Sequence, residues 1–147
     1  MNTSKHDAAV HFDPSTESSE PARHLQQWWS VITILLVVAI FTQAVFAGLM
    51  LSGVDWARAV HSANAGVLIA STLTAGLVSL VTLRGIPHGP RLGLTLLSLA
   101  LVVFLQAAVG RSSAQGANLM WVHVPLGVAL VGFAMQAVAG ARRLGGE

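Results

Sequence analysis

The sequence predicts an all-α integral membrane protein, a bundle of four transmembrane helices made of two repeated helical hairpins. Three observations carry that prediction. Hydrophobic residues make up 54% of the chain against 10% charged, with a mean hydropathy of +0.68, a balance far from that of an ordinary water-soluble domain. The charges are also gathered at a few places: Arg23 is followed by none until Asp55, Arg58 by none until Arg84, Arg91 by none until Arg111, and Arg111 by none until Arg142. Each gap exceeds the roughly 18 apolar residues that a helix needs to cross a bilayer. Finally, Phe-x-Gln-Ala is written twice, as "FTQAVFAG" from Phe41 and "FLQAAVG" from Phe104, and each copy is followed by a histidine, His61 and His123.

Taken in order, residues 1–27 contain "DPSTESSEPAR", polar and too poor in apolar residues to fold alone, and read as a disordered cytoplasmic tail. The first apolar run begins late and is long enough to span, so it is expected to remain as a signal anchor rather than be cleaved. Four spans follow at about 28–52, 59–83, 92–110 and 118–141, helical because hydrocarbon offers the backbone no other hydrogen-bond partner. They form one domain, 28–141. "RGIPHGPR", residues 84–91, is a tight Gly/Pro turn between the second and third spans. Pro125 lies near the entrance of the fourth, where it is tolerable, and residues 142–147 form a short cytoplasmic tail.

The basic residues report orientation. Lys5, Arg23, Arg84, Arg91, Arg142 and Arg143 fall on one side and Arg58 and Arg111 on the other, which places both termini in the cytoplasm of a multi-pass protein of the plasma membrane. No basic run tracks phosphates, so nucleic acid is not an expected partner. Trp28 and Trp29 at one boundary, with Trp56 and Trp121 at the other, fit interfacial anchors. Cysteine is absent, which removes disulfides, thiolate nucleophiles and iron–sulfur ligation.

Superposing the first two spans on the last two places Phe41 on Phe104, Gln43 on Gln106, Gly48 on Gly110, His61 on His123 and Gly66 on Gly127, with Trp56 loosely on Trp121. This is a parallel repeat. Both histidines lie about a turn into helices that run in the same direction, so they share one depth near the outer face. Two neutral imidazoles on facing helices are the arrangement that ligates a haem iron from both sides. Ala65 and Gly127, four residues beyond each histidine, and Gly48 and Gly110 on the partner helices would let a flat macrocycle approach the backbone. Arg58 and Arg111 are the cations on that side able to pair with propionates. The competing reading makes all of these packing residues, with Gln43 and Gln106 bonding neighbouring helices and Asn64 either orienting His61 or bonding across helices. His6, His11, His24 and His88 read as solvated residues.

The duplicated "Q…G…H" pattern, with "LQAAVG…WVHVPLG" in the second hairpin, resembles one half of a haem A synthase, a membrane enzyme of two four-helix halves. The resemblance covers residues 28 to 141. It implies that His61 and His123 are the axial ligands of one haem b and that the chain is a half-sized relative that pairs with a second copy. The pattern is also similar to that of small bacterial four-helix membrane proteins without a known activity. The chain departs from the family in three ways. Arg58 stands where a glutamate commonly precedes the first ligand, no cysteine pair exists, and Ser62 and Val124 follow the histidines where the family pairs His with Arg.

No Asp or Glu lies inside any span, so a buried carboxylate relay or general base is excluded and no catalytic residue is assigned. Ligation by two histidines leaves no open coordination position, which favours electron transfer over substrate activation. The leading expectation is therefore a membrane protein holding one haem b for electron transfer or haem handling, with the bilayer, a homodimer mate or a respiratory redox protein as partners. The alternative is a cofactor-free membrane subunit or assembly factor. A transporter ranks third, since no charge or broken helix lies at the midplane.

Overall fold

The computed structural model describes residues 20–144; the remainder of the expected N-terminal tail, with Lys5, His6 and His11, and the end of the C-terminal tail lie outside the described residues. Four helices follow one another: α1 (Glu20–Leu51), α2 (Ala57–Thr82), α3 (Gly89–Ala114) and α4 (Met120–Arg142). Each is long and apolar enough to cross a membrane. α1 packs against α2 and α4, and α3 packs against the same two. The helices thus form a ring in chain order, with α2 and α4 diagonal to each other.

α1 starts eight residues earlier than expected, so residues 20–27 are helix rather than tail. Tertiary contact outweighs the poor local composition here: Leu25 packs against the buried cluster at that end, and the Gln26 amide donates to the Arg142 carbonyl at the end of α4. Trp29 also departs from its expected role. Trp28 is 68% exposed, as an interfacial anchor should be, but Trp29 is only 5% exposed and belongs to the core.

The core is a continuous inward seam. On α1 it runs through Trp29, Thr33, Leu36 and Ile40, on α2 through Leu68, Thr72, Gly76 and Ser79, on α3 through Leu92, Leu96, Leu99 and Val103, and on α4 through Leu130, Ala134, Val138 and Ala141, all buried. The spacing of three and four is that of one helical face. Buried hydroxyls on the seam are satisfied within their own helices: Thr33 donates to Trp29 O at 2.9 Å, Thr72 to Leu68 O at 2.6 Å and Ser79 to Gly76 O at 2.9 Å. They therefore fill space between helices without demanding an interhelical partner.

α2 and α3 approach closely because glycines face large side chains. A Cβ on Gly76 would lie 2.7 Å from Leu97 Cδ2, and one on Gly93 would lie 2.5 Å from Leu80 Cδ2. The turn between them is tighter still. His88 takes a left-handed conformation (φ 63°), and a Cβ on Gly89 would stand 2.1 Å from Leu83 O.

Candidate functional site

Continued toward the end of the bundle opposite the chain termini, the seam changes character. Its next positions are Gln43 and Ala47 on α1, Ala65 and His61 on α2, Gln106, Gly110 and Ser113 on α3, and Gly127 and His123 on α4. All of these are half-buried, whereas the seam positions in the other half are buried. Every sequence-predicted site residue except Gly48, Asn64, Arg58 and Arg111 falls on this stretch.

Each histidine is clasped to the glutamine of its neighbouring helix by a reciprocal pair of hydrogen bonds. Gln43 Nε2 donates to the His61 carbonyl at 2.8 Å, and His61 Nδ1 lies 3.2 Å from the Gln43 carbonyl. Likewise Gln106 Nε2 donates to the His123 carbonyl at 2.8 Å, and His123 Nδ1 lies 3.1 Å from the Gln106 carbonyl. A main-chain carbonyl can only accept, so both contacts require the proton on Nδ1, which leaves the Nε2 lone pair of each imidazole available. Metal-bound histidines are oriented by this same kind of outer bond. The two imidazoles stand on diagonal helices at the same end of the bundle.

The clasps are not identical. Asn64 Nδ2 donates to Gln43 Oε1 at 2.8 Å and lies 3.2 Å from Ala39 O, so it locks the first amide. The position three residues after His123 is Leu126, and Gln106 Oε1 is buried without a hydrogen-bond partner, as is Ser113 Oγ. Glycine differs as well. A Cβ on Gly110 would meet His123 Cε1 at 2.7 Å, and one on Gly127 would meet Gln106 Nε2 at 2.9 Å, while a Cβ on Gly48 or Gly66 would enter open space. The residues standing where Gly110 and Gly127 stand, four beyond the glutamine and four beyond the histidine, are Ala47 and Ala65.

Arg58 and Arg111 are exposed at the same end of the bundle as the histidines. Asp55 is the single carboxylate within residues 23–144, and no cluster of three or more His, Cys, Asp or Glu occurs among the described residues. The donor set thus fits a group that takes one nitrogen from each of two sides better than a bare ion needing three or four protein ligands. An apolar groove of about 580 Å³ lies elsewhere, between α1 and α2 at the end nearer the termini. Asn64 and Ser113 are what the sequence left open: one was ambiguous, and the other carried no signal until the seam register was visible.

Comparison with protein-family models, with curated proteins and with solved structures gives no match to this chain.

Proposed function

We propose that the chain is a plasma-membrane protein of two repeated hairpins that holds one b-type haem between His61 and His123, for electron transfer or haem handling near the outer surface. The observation that carries this reading is the pair of Nδ1 contacts at 3.2 and 3.1 Å to main-chain carbonyls, which prepares an Nε2 lone pair on each of two diagonal helices. The repeat is supported by register. Seam residues of α1 recur on α3 63 positions on (Leu36 and Leu99, Gln43 and Gln106), and those of α2 recur on α4 62 positions on (His61 and His123, Leu68 and Leu130). His61 and His123 would ligate the iron, Gly110, Gly127 and Ala65 would flank the ring, and Arg58 and Arg111 would meet the propionates; Gly48 lies off the seam. Bound in this way, the haem would supply a one-electron couple. The Gln/His pattern it shares with haem A synthase halves points the same way.

The same hydrogen bonds favour a second reading. Gln43 and Gln106 donate across to neighbouring helices, as expected of a cofactor-free subunit or assembly factor held together by polar contacts. Oxidised and dithionite-reduced absorption spectra of protein purified from haem-supplied cells separate the two. Sharp bands of a low-spin six-coordinate haem, lost in both His61→Ala and His123→Ala but kept in Gln43→Ala, are the expected result. A colourless folded protein, in which all three substitutions lower stability alike, would instead establish the second reading.

A further inference from the structure

The groove between α1 and α2 has a structural cause. At the histidine end these helices are tied by Gln43, His61 and Asn64. At the other end α2 is drawn toward α3 by the Gly76–Leu97 and Leu80–Gly93 contacts, while Trp29 and Leu36 of α1 join a cluster built mainly from α3 and α4 (Leu92, Leu96, Ala137, Ala141), to which α2 adds Ala75 and the Leu83 that caps it. The space left between them is lined by Trp29 and Ile32 of α1 and by Val67, Ala70, Thr74 and Val78 of α2.

We propose that this groove holds one acyl chain of an anionic phospholipid from the leaflet nearer the chain termini. From Val67 to Val78 the helix rises roughly 16 Å at 1.5 Å per residue, close to half of a hydrocarbon core about 30 Å thick. A single leaflet's chain fills that length. A transmembrane helix would run on past Val67, along the part of the α1–α2 interface that the polar clasp already closes. Ser71, which also lines the groove, donates its hydroxyl to Val67 O at 2.7 Å, so it asks nothing of an occupant. The end of the bundle nearer the groove carries exposed Arg84, Arg91, Arg142 and Arg143, four cations against the single carboxylate residue that α1 brings there, Glu20, while Asp55 is at the opposite end. Guanidinium groups there complement a phosphate headgroup. The inference is independent of whether a haem is bound.

The test is thermal unfolding of the detergent-solubilised full chain with added phosphatidylglycerol or phosphatidylcholine, alongside native mass spectrometry of retained lipid. Phosphatidylglycerol is expected to raise Tm by about 5 °C more than phosphatidylcholine, with one lipid retained per chain. Ala70→Trp and Thr74→Trp, which fill the groove, should each lose that difference and the retained lipid, while Leu94→Trp, on an exposed face of α3, should keep both. Equal effects of the two lipids would overturn the proposal, as would retention of the lipid in both groove-filled variants. A dimer that these variants convert to monomer would assign the groove to a second copy instead.

Discussion

Asn64 and Leu126 occupy the same place in the two clasps, three residues beyond the histidine, and only asparagine can donate to the facing glutamine. The first clasp is therefore a closed network, while Gln106 Oε1 is buried with its lone pairs unused. An unmet buried acceptor costs on the order of 1–3 kcal/mol. Leu126→Asn should supply the missing donor and raise stability by about 0.6 kcal/mol, the typical worth of an interhelical hydrogen bond in a membrane. Asn64→Leu should lower it by about 1–3 kcal/mol by orphaning Gln43 Oε1. Thermal midpoints of the two single variants and of the double swap check both, and a stabilised Asn64→Leu would contradict the network. The glutamines and histidines were legible in the sequence because polar residues are conspicuous in apolar helices. Their partners were not, because hydrogen bonds to main-chain carbonyls leave no mark on composition. Nor was the register of the glycines: Gly48 and Gly66 match Gly110 and Gly127 at offsets of 62 and 61, but the glutamines match at 63 and the histidines at 62, so Ala47 and Ala65 hold the equivalent places.

Among the elements, the α2–α3 turn is the most constrained. His88 sits in the left-handed region, which costs an L-residue roughly 1–2 kcal/mol, and Gly89 packs its bare Cα against Leu83 O. Gly89→Ala has backbone in its way rather than a flexible side chain, so it is expected to destabilise by about 1–3 kcal/mol. His88→Gly should be neutral or stabilising by up to about 1 kcal/mol, the relief of strain being partly offset by the freer unfolded chain. Opposite signs in adjacent substitutions, read from unfolding midpoints, would distinguish this account from general fragility of the turn. The four spans were legible because charge-free runs of this length have few alternatives in a bilayer. Their ends were less so: the extension of α1 back to Glu20 depends on Leu25 packing against the buried cluster at that end and on Gln26 reaching Arg142, 116 positions away.

For the whole molecule, the inward seam joins two regions of different chemistry in one register. Toward the termini it is closed by aliphatic side chains, Trp29 and hydroxyls bonded within their own helices, and toward the histidines the same helical faces carry amides, imidazoles and small residues that remain half-buried. Stability and chemistry are thereby separated along the bundle axis, so substitutions in the imidazole half should disturb any ligand before they unfold the chain. Charge predicts the orientation of that axis. Arg84, Arg91, Arg142 and Arg143 gather at the end of the termini and Arg58 and Arg111 at the other, a distribution for which the positive-inside rule predicts outward-facing histidines. The absence of cysteine from the chain makes this directly measurable. Single variants Ser52→Cys and Gln115→Cys, in the turns of the histidine end, should react in intact cells with a maleimide that cannot cross the membrane, while Gly85→Cys, in the turn of the opposite end, should react only after the cells are opened. The reverse pattern would place the histidines at the cytoplasmic face and any redox partner there with them.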